Sequence, residues 1–367
     1  MPYEIILMIV EKCDFLSQIR MTSINKEYKK KVQISDLMNI PKKYLIKLTD
    51  EIIQQKKFKN LKRLDTSKNF KKSSTIGKIT QKGILKLNLI ELNACNNKHI
   101  YDVTFMKKLK KLNARYECRI DQKGIQGLDL IKLKASDNEK ITDVTFMKKL
   151  KILNADGTRC GIDQNGIQGL DLIKLYVNGN VKIKNVGFMK NLKYLDASGI
   201  SGIDQNGIKG LDLIYLNANN NDKIKTVTNM KNLKYLKAYD NCGIDQDGIS
   251  GLDLTYLDVS NNKKIKNITF MKNLKILYAT DDCGIDQNGI QDLDLIELRV
   301  NFNKKIKDVG FMKNLKVLHA SCQCGIDQNG IQGLDLIELH VDFNEKIKDV
   351  RFMKNLKVLD AADKCCI

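Results

Sequence analysis

Two histidines offer the first chemical reading. His319 and His340 stand 21 residues apart, in one periodic column with Arg299 and Asp360. A metal centre needs a third ligand at suitable spacing and none follows, so ordinary surface histidines and no metal are expected. The acidic residues of the recurring phrase IDQNGI (Asp121, Asp163, Asp204, Asp245, Asp286 and Asp327) each stand alone. The alternating ligands of an EF-hand are missing, so these carboxylates are expected to cap a short helical turn instead of binding calcium. No Ser/His/Asp group, glycine-rich phosphate loop or paired carboxylate is visible. A non-catalytic binding protein without a cofactor is predicted.

The elements that carry these residues are repeats. The Ile-Asp pair starts at Ile120, Ile162, Ile203, Ile244, Ile285 and Ile326, with a diverged copy at Ile79; the first of these steps is 42 residues and the later ones are 41. Each period splits into two units of the form LxxLxL, such as Leu172, Leu175 and Val177, then Leu192, Leu195 and Ala197. This spacing resembles the leucine-rich repeat, which implies short parallel strands stacked into a solenoid with turns on the convex side. Fifteen strands are predicted, starting at Leu61, Leu89, Leu109, Leu130, Leu150, Leu172, Leu192, Leu213, Leu233, Leu254, Leu274, Leu295, Leu315, Leu336 and Leu356.

Asn97, Asn138, Asn180, Asn221, Asn262, Asn303 and Asn344 share one column. An amide there can satisfy buried backbone donors and acceptors together, so a structural asparagine ladder is expected. Cys118, Cys160, Cys242, Cys283, Cys324 and Cys365 also recur once per repeat. Equivalent columns two coils apart lie ~10 Å apart, too far for a disulfide, and reduced buried thiols follow.

In a strand written LxxLxL the third, fifth, seventh and eighth residues face away from the core, toward the concave side. The third positions of four consecutive strands are Tyr194, Tyr215, Tyr235 and Tyr256; Tyr176, Tyr239 and Tyr278 lie nearby, and Phe302 and Phe343 extend the aromatic area toward the C-terminus. Such a cluster is expected to bind a protein partner, since tyrosine buries area at little entropic cost.

The net charge of +20 comes mostly from lysine, with Arg20, Arg63, Arg115, Arg119, Arg159, Arg299 and Arg351 the only arginines. Arginine forks are what phosphate and guanine recognition usually employ, so nucleic-acid binding through the lysine rows is the weaker reading and solvated ridges are expected. No apolar run approaches a membrane span and no signal peptide is visible, which predicts a soluble, cytoplasmic protein.

Residues 1–40 show helical apolar spacing at Ile5, Ile6, Ile9 and Val10. With Pro2 and Glu4 opening the segment and Ile24, Asn25, Lys26 and Tyr28 closing it, this stretch resembles the F-box motif. Residues 41–60 are expected to form a helical linker and N-terminal cap, and 61–367 the solenoid. The whole chain is similar to F-box and leucine-rich-repeat proteins, and its Lys/Asn/Ile composition and near-identical repeats look like those of giant DNA viruses. That resemblance implies a substrate-recognition subunit of a cullin-RING (SCF-type) ubiquitin ligase, acting in host cytoplasm, with Pro2, Ile5, Ile9 and Val10 contacting a Skp-type adaptor and the repeats holding an unknown target. A scaffold that binds a host or viral protein without ubiquitin chemistry is the alternative. The chain stops inside a repeat at Ile367, which predicts a frayed last coil or end-to-end self-association.

Overall fold

The leucine spacing turns into sheet one short strand at a time. The computed structural model describes residues 17, 20, 33–38, 48–67 and 79–361, and the chain divides into two units, residues 1–176 and 177–367. In the first, β1 (Asp36–Leu37), β2 (Arg63–Asp65), β3 (Glu91–Asn93), β4 (Lys111–Asn113), β5 (Lys132–Lys134), β6 (Ile152–Asn154) and β7 (Lys174–Tyr176) pair in chain order, all parallel. In the second, β8 (Tyr194–Asp196), β9 (Tyr215–Asn217), β10 (Tyr235–Lys237), β11 (Tyr256–Asp258), β12 (Ile276–Tyr278), β13 (Glu297–Arg299), β14 (Val317–His319), β15 (Glu338–His340) and β16 (Val358–Asp360) do the same. Each unit is a leucine-rich-repeat solenoid.

Most strands bury only their central leucine and leave the two flanking residues partly exposed, as pleat alternation demands. In each unit, leucines, alanines or valines, isoleucines and, in alternate coils, methionines complete a dry core, as Leu254, Leu257, Val259, Ile265 and Met271 do, each 0% exposed; the last strand, β16, is exposed, with Leu359 at 42%. Truncating one such leucine to alanine costs about 2–5 kcal/mol.

The first strand lies earlier than the predicted solenoid. Ile34 and Leu37 repeat the Leu-x-x-Leu spacing and are 1% and 0% exposed, and Asp36 accepts from Arg63 at 2.8 Å. The described part of 41–60 holds two single helical turns, Asp50–Ile53 and Lys56–Phe58, which bury Ile53 and Phe58. Pro2, Ile5, Ile9 and Val10 lie outside the described residues, as do Cys365 and Ile367.

Three polar columns hold the coils in shape: asparagine and glutamine bond one coil to another, and aspartate caps a turn within its own coil. Asn262 Nδ2 donates to the carbonyls of Ala238 (2.7 Å) and Ile244 (3.2 Å) in the preceding coil, while Oδ1 accepts from Lys264 N (2.9 Å). Asn138, Asn221, Asn303 and Asn344 repeat that pattern, Asn97 donates to Thr66 and Ile79, and Asn180 accepts from Lys182 and Ile183. The repeat aspartates cap: Asp245 Oδ1 accepts from Gly248 N at 2.9 Å, and Asp121, Asp163, Asp204, Asp286 and Asp327 do likewise three residues on. The third column is the glutamine that follows each aspartate. Gln246 Nε2 donates to Asn267 O (2.8 Å), and its Oε1 accepts from Lys266 N and Asn267 N (both 2.9 Å). One side chain thus imitates a strand and pairs with the next coil.

Cys118, Cys160, Cys242, Cys283 and Cys324 are buried free thiols. Burial pushes Cys118 up to about 12 and Cys242, Cys283 and Cys324 up to about 11, so thiolate is scarce at neutral pH. Peptide-mapped alkylation of the native protein should modify Cys322, which is partly exposed, well before those five; comparable rates would contradict the dry spine.

Candidate binding surface of the second unit

The outward face of β8–β15 is built from the residues that flank each buried leucine. Register places Tyr194 beside Tyr215, Tyr215 beside Tyr235 and Tyr235 beside Tyr256. The Tyr194 and Tyr215 rings stack with centroids 3.9 Å apart, and those of Tyr235 and Tyr256 lie 6.1 Å apart. At β12 the row changes column: Ile276 takes the third position and Tyr256 meets Tyr278 edge-on at 5.3 Å. Tyr278 then carries the Arg299 guanidinium 4.4 Å from its ring centroid. Arg299 neighbours His319 in register, and His319 stacks on His340 at 4.1 Å with the rings 2° from parallel. The tyrosines and the histidines, separate features in the sequence, therefore belong to one oblique stripe of planar groups, joined through Arg299.

Carboxylates pin the stripe. Glu297 Oε1 accepts from Tyr278 Oη (2.9 Å) and from Arg299 Nε (2.8 Å), and His340 Nδ1 lies 3.2 Å from Asp360 Oδ2. Asp258, 6% exposed, has its carboxyl raised by burial. Burial pushes Tyr278 up to about 12, aided by its bond to Glu297, and burial followed by the Asp258 charge raises Tyr256 further. These phenols stay protonated and keep a hydroxyl donor.

Not all the predicted aromatics join. Tyr239, raised mainly by burial and by Asp258, flanks the stripe from the seventh position. Tyr176 ends β7 in the first unit. Phe302 and Phe343 sit in turns at φ +60 and +58 and, with Asp281, Asp282, Cys322 and Gln323, line a separate groove that includes none of the stripe's tyrosines. The pleat has ended by the eighth position, so alternation no longer sets their direction.

No family model matches this chain. No curated protein matches it either. Among solved structures, it is similar to TLR13 in its complex with ssRNA13 (16% identity over 83% of this chain and 55% of that one, TM-score 0.44). It is similar to an internalin, InlF, from Listeria monocytogenes (16% identity, 84% and 82% of the two chains, TM-score 0.37). A third likeness is to the yeast Rad7 and Elc1 complex (14% identity, 97% and 92%, TM-score 0.41). The fold assignment rests on the strand registers above, not on these likenesses.

Among the described residues no cluster of three or more His, Cys, Asp or Glu could hold a metal, and no helix is long and apolar enough to cross a membrane. The lysine rows are partly structural: the ammonium groups of Lys223, Lys264, Lys305 and Lys346 donate to carbonyls of the preceding coil at 2.8–3.0 Å.

His319 gives the surface a pH signature. Burial, then Arg299 and His340, lowers it to about 4 from 6.5. The unfolded chain therefore takes up a proton in a range where the folded one does not, so stability should fall as pH drops from about 6.5 toward 4 and level off below. Urea unfolding across that range should show a smaller slope for His319→Asn; an unchanged slope would refute the assignment.

Proposed function

We propose that the chain is a protein-binding module whose second unit receives a partner on the outward face of β8–β15. The carrying observation is the stripe from Tyr194 to His340, in which eight planar side chains on eight successive strands face outward while their stacking and carboxylate partners fix them in place. A preorganised stripe loses little side-chain entropy on binding. Because the Tyr194/Tyr215 and His319/His340 pairs stack face to face, their ring faces are taken up by each other and their edges are left for the partner, which suits a protein surface better than intercalating bases.

The finer reading is a substrate-recognition subunit of a cullin-RING ligase. It rests on the F-box resemblance of Pro2, Ile5, Ile9 and Val10, and the alternative is a scaffold with no ubiquitin link. Purified Skp-type adaptor should bind the full chain and lose at least about tenfold in affinity to the double variant Ile5→Asp/Ile9→Asp, since both would place a charge in an apolar contact. Cutting away residues 1–40 would be a poorer test, because it removes β1. No binding to the unaltered chain leaves the scaffold reading.

A further inference from the structure

The first unit presents a different chemistry on its strand face. Lys111 and Lys132 are register neighbours on β4 and β5, and Lys134 stands beside Asn113. Arg115 follows on the same side, its Nε donating to Asn113 Oδ1 at 3.1 Å. The Glu91 carboxylate on β3 is already held by Arg63 (3.1 Å) and Lys111 (3.7 Å), and Asp156 accepts from Asn154 Nδ2 at 2.7 Å. Among the described residues Lys132, Lys134 and Arg115 have no ion-pair partner.

This arrangement is costly to the free protein. Lys132 and Lys134 are half-buried, and the Lys134 ammonium is held below its ordinary range first by burial and then by the like charges of Lys132 and Arg115. Desolvated cations in mutual repulsion gain most when an anion arrives. The space for it is a groove of about 130 Å³ whose lining includes Asn93, Asn113, Lys111, Lys132 and Lys134, and also Glu91, whose carboxylate is already paired with Arg63 and Lys111. That space is enough to seat a carboxylate side chain.

We infer that this groove of the first unit docks an acidic segment of a protein partner, its Asp or Glu carboxylates set between Lys132 and Lys134 while the Asn93 and Asn113 amides bond the peptide. Lysine as a compact point charge suits carboxylates arriving singly, and the groove offers none of the exposed ring faces on which a single-stranded nucleic acid stacks. The inference goes beyond the stripe of the second unit and is tested without it.

A fluorescent poly-glutamate peptide of about ten residues, titrated with the full chain at about 0.05 and 0.15 M salt, reads the site directly. Lys132→Gln/Lys134→Gln should weaken binding about tenfold or more, whereas Lys266→Gln/Lys307→Gln, an equal loss of charge from exposed positions of the second unit, should change it less than about twofold. Lys134→Gln alone, which relieves repulsion and cannot unfold the strand by adding bulk, should account for about threefold or more of the loss. Equal losses from both double variants would mean a general cationic field and overturn the site, as would no loss from either. A single-stranded RNA of about ten nucleotides binding more tightly than the peptide, and weakened by the same pair, would also overturn it.

Discussion

Replacing Gly248 with alanine should cost the second unit about 3 kcal/mol or more, enough to halve its urea midpoint or abolish cooperative unfolding. A Cβ built there collides with the carbonyl oxygen of Lys225 in the neighbouring coil. That oxygen is backbone and cannot rotate away. Gly248 also donates to Asp245 and its carbonyl receives Val227 N at 2.9 Å, so a shift that relieves the clash breaks the cap within its coil and a bond to the neighbouring coil. Gly251, three residues on, separates the causes: it has φ +71 and nothing within 4 Å of an added Cβ. Gly251→Ala meets only the left-handed backbone penalty, about 1–2 kcal/mol. Denaturant unfolding of the two variants side by side checks both numbers, and similar losses would show that inter-coil crowding does not set the spacing of the stack.

That contrast also marks what the sequence could and could not disclose. The fifteen leucine starts are legible because burial of the central strand leucine is a one-dimensional property, repeated at the spacing that a stacked coil requires. The first strand escapes because its coil keeps only Ile34 and Leu37 of the apolar pattern, too short a signal to separate from the helical spacing before it. The glutamine column is missed for another reason. Gln246 looks like any exposed polar residue until the coil 20 residues ahead lies beside it and presents two N–H groups and a carbonyl. On the strand face of the second unit, equal positions in LxxLxL put Tyr194, Tyr215, Tyr235 and Tyr256 in one register row, but the stripe's change of column at Tyr278 depends on ring directions across strands. So does the bridge through Arg299, and no spacing rule contains either.

Tyr256 is where that stripe turns, and Tyr256→Ala should lower affinity for a partner captured on the second unit about 30-fold or more. Its ring contacts Tyr235 on one side and Tyr278 on the other, at 6.1 and 5.3 Å. Removing it therefore takes away its own contact area and loosens Tyr235, while Tyr278 keeps only Glu297 and Arg299, so the partner would have to order neighbours that are now held in place. Stability should suffer little, about 1 kcal/mol, since the ring stands on the outer face and the core leucine beneath it is untouched. Tyr256→Phe keeps the stack and should hold affinity within about fivefold if edge contact dominates, or lose more if the buried hydroxyl donates to the partner. Tyr101→Ala removes a tyrosine that is 47% exposed in the first unit, beside Arg119, and should leave binding unchanged. Calorimetric titration of the three variants decides the matter: a partner indifferent to Tyr256→Ala binds elsewhere, and the stripe would then serve only to hold its strands in register.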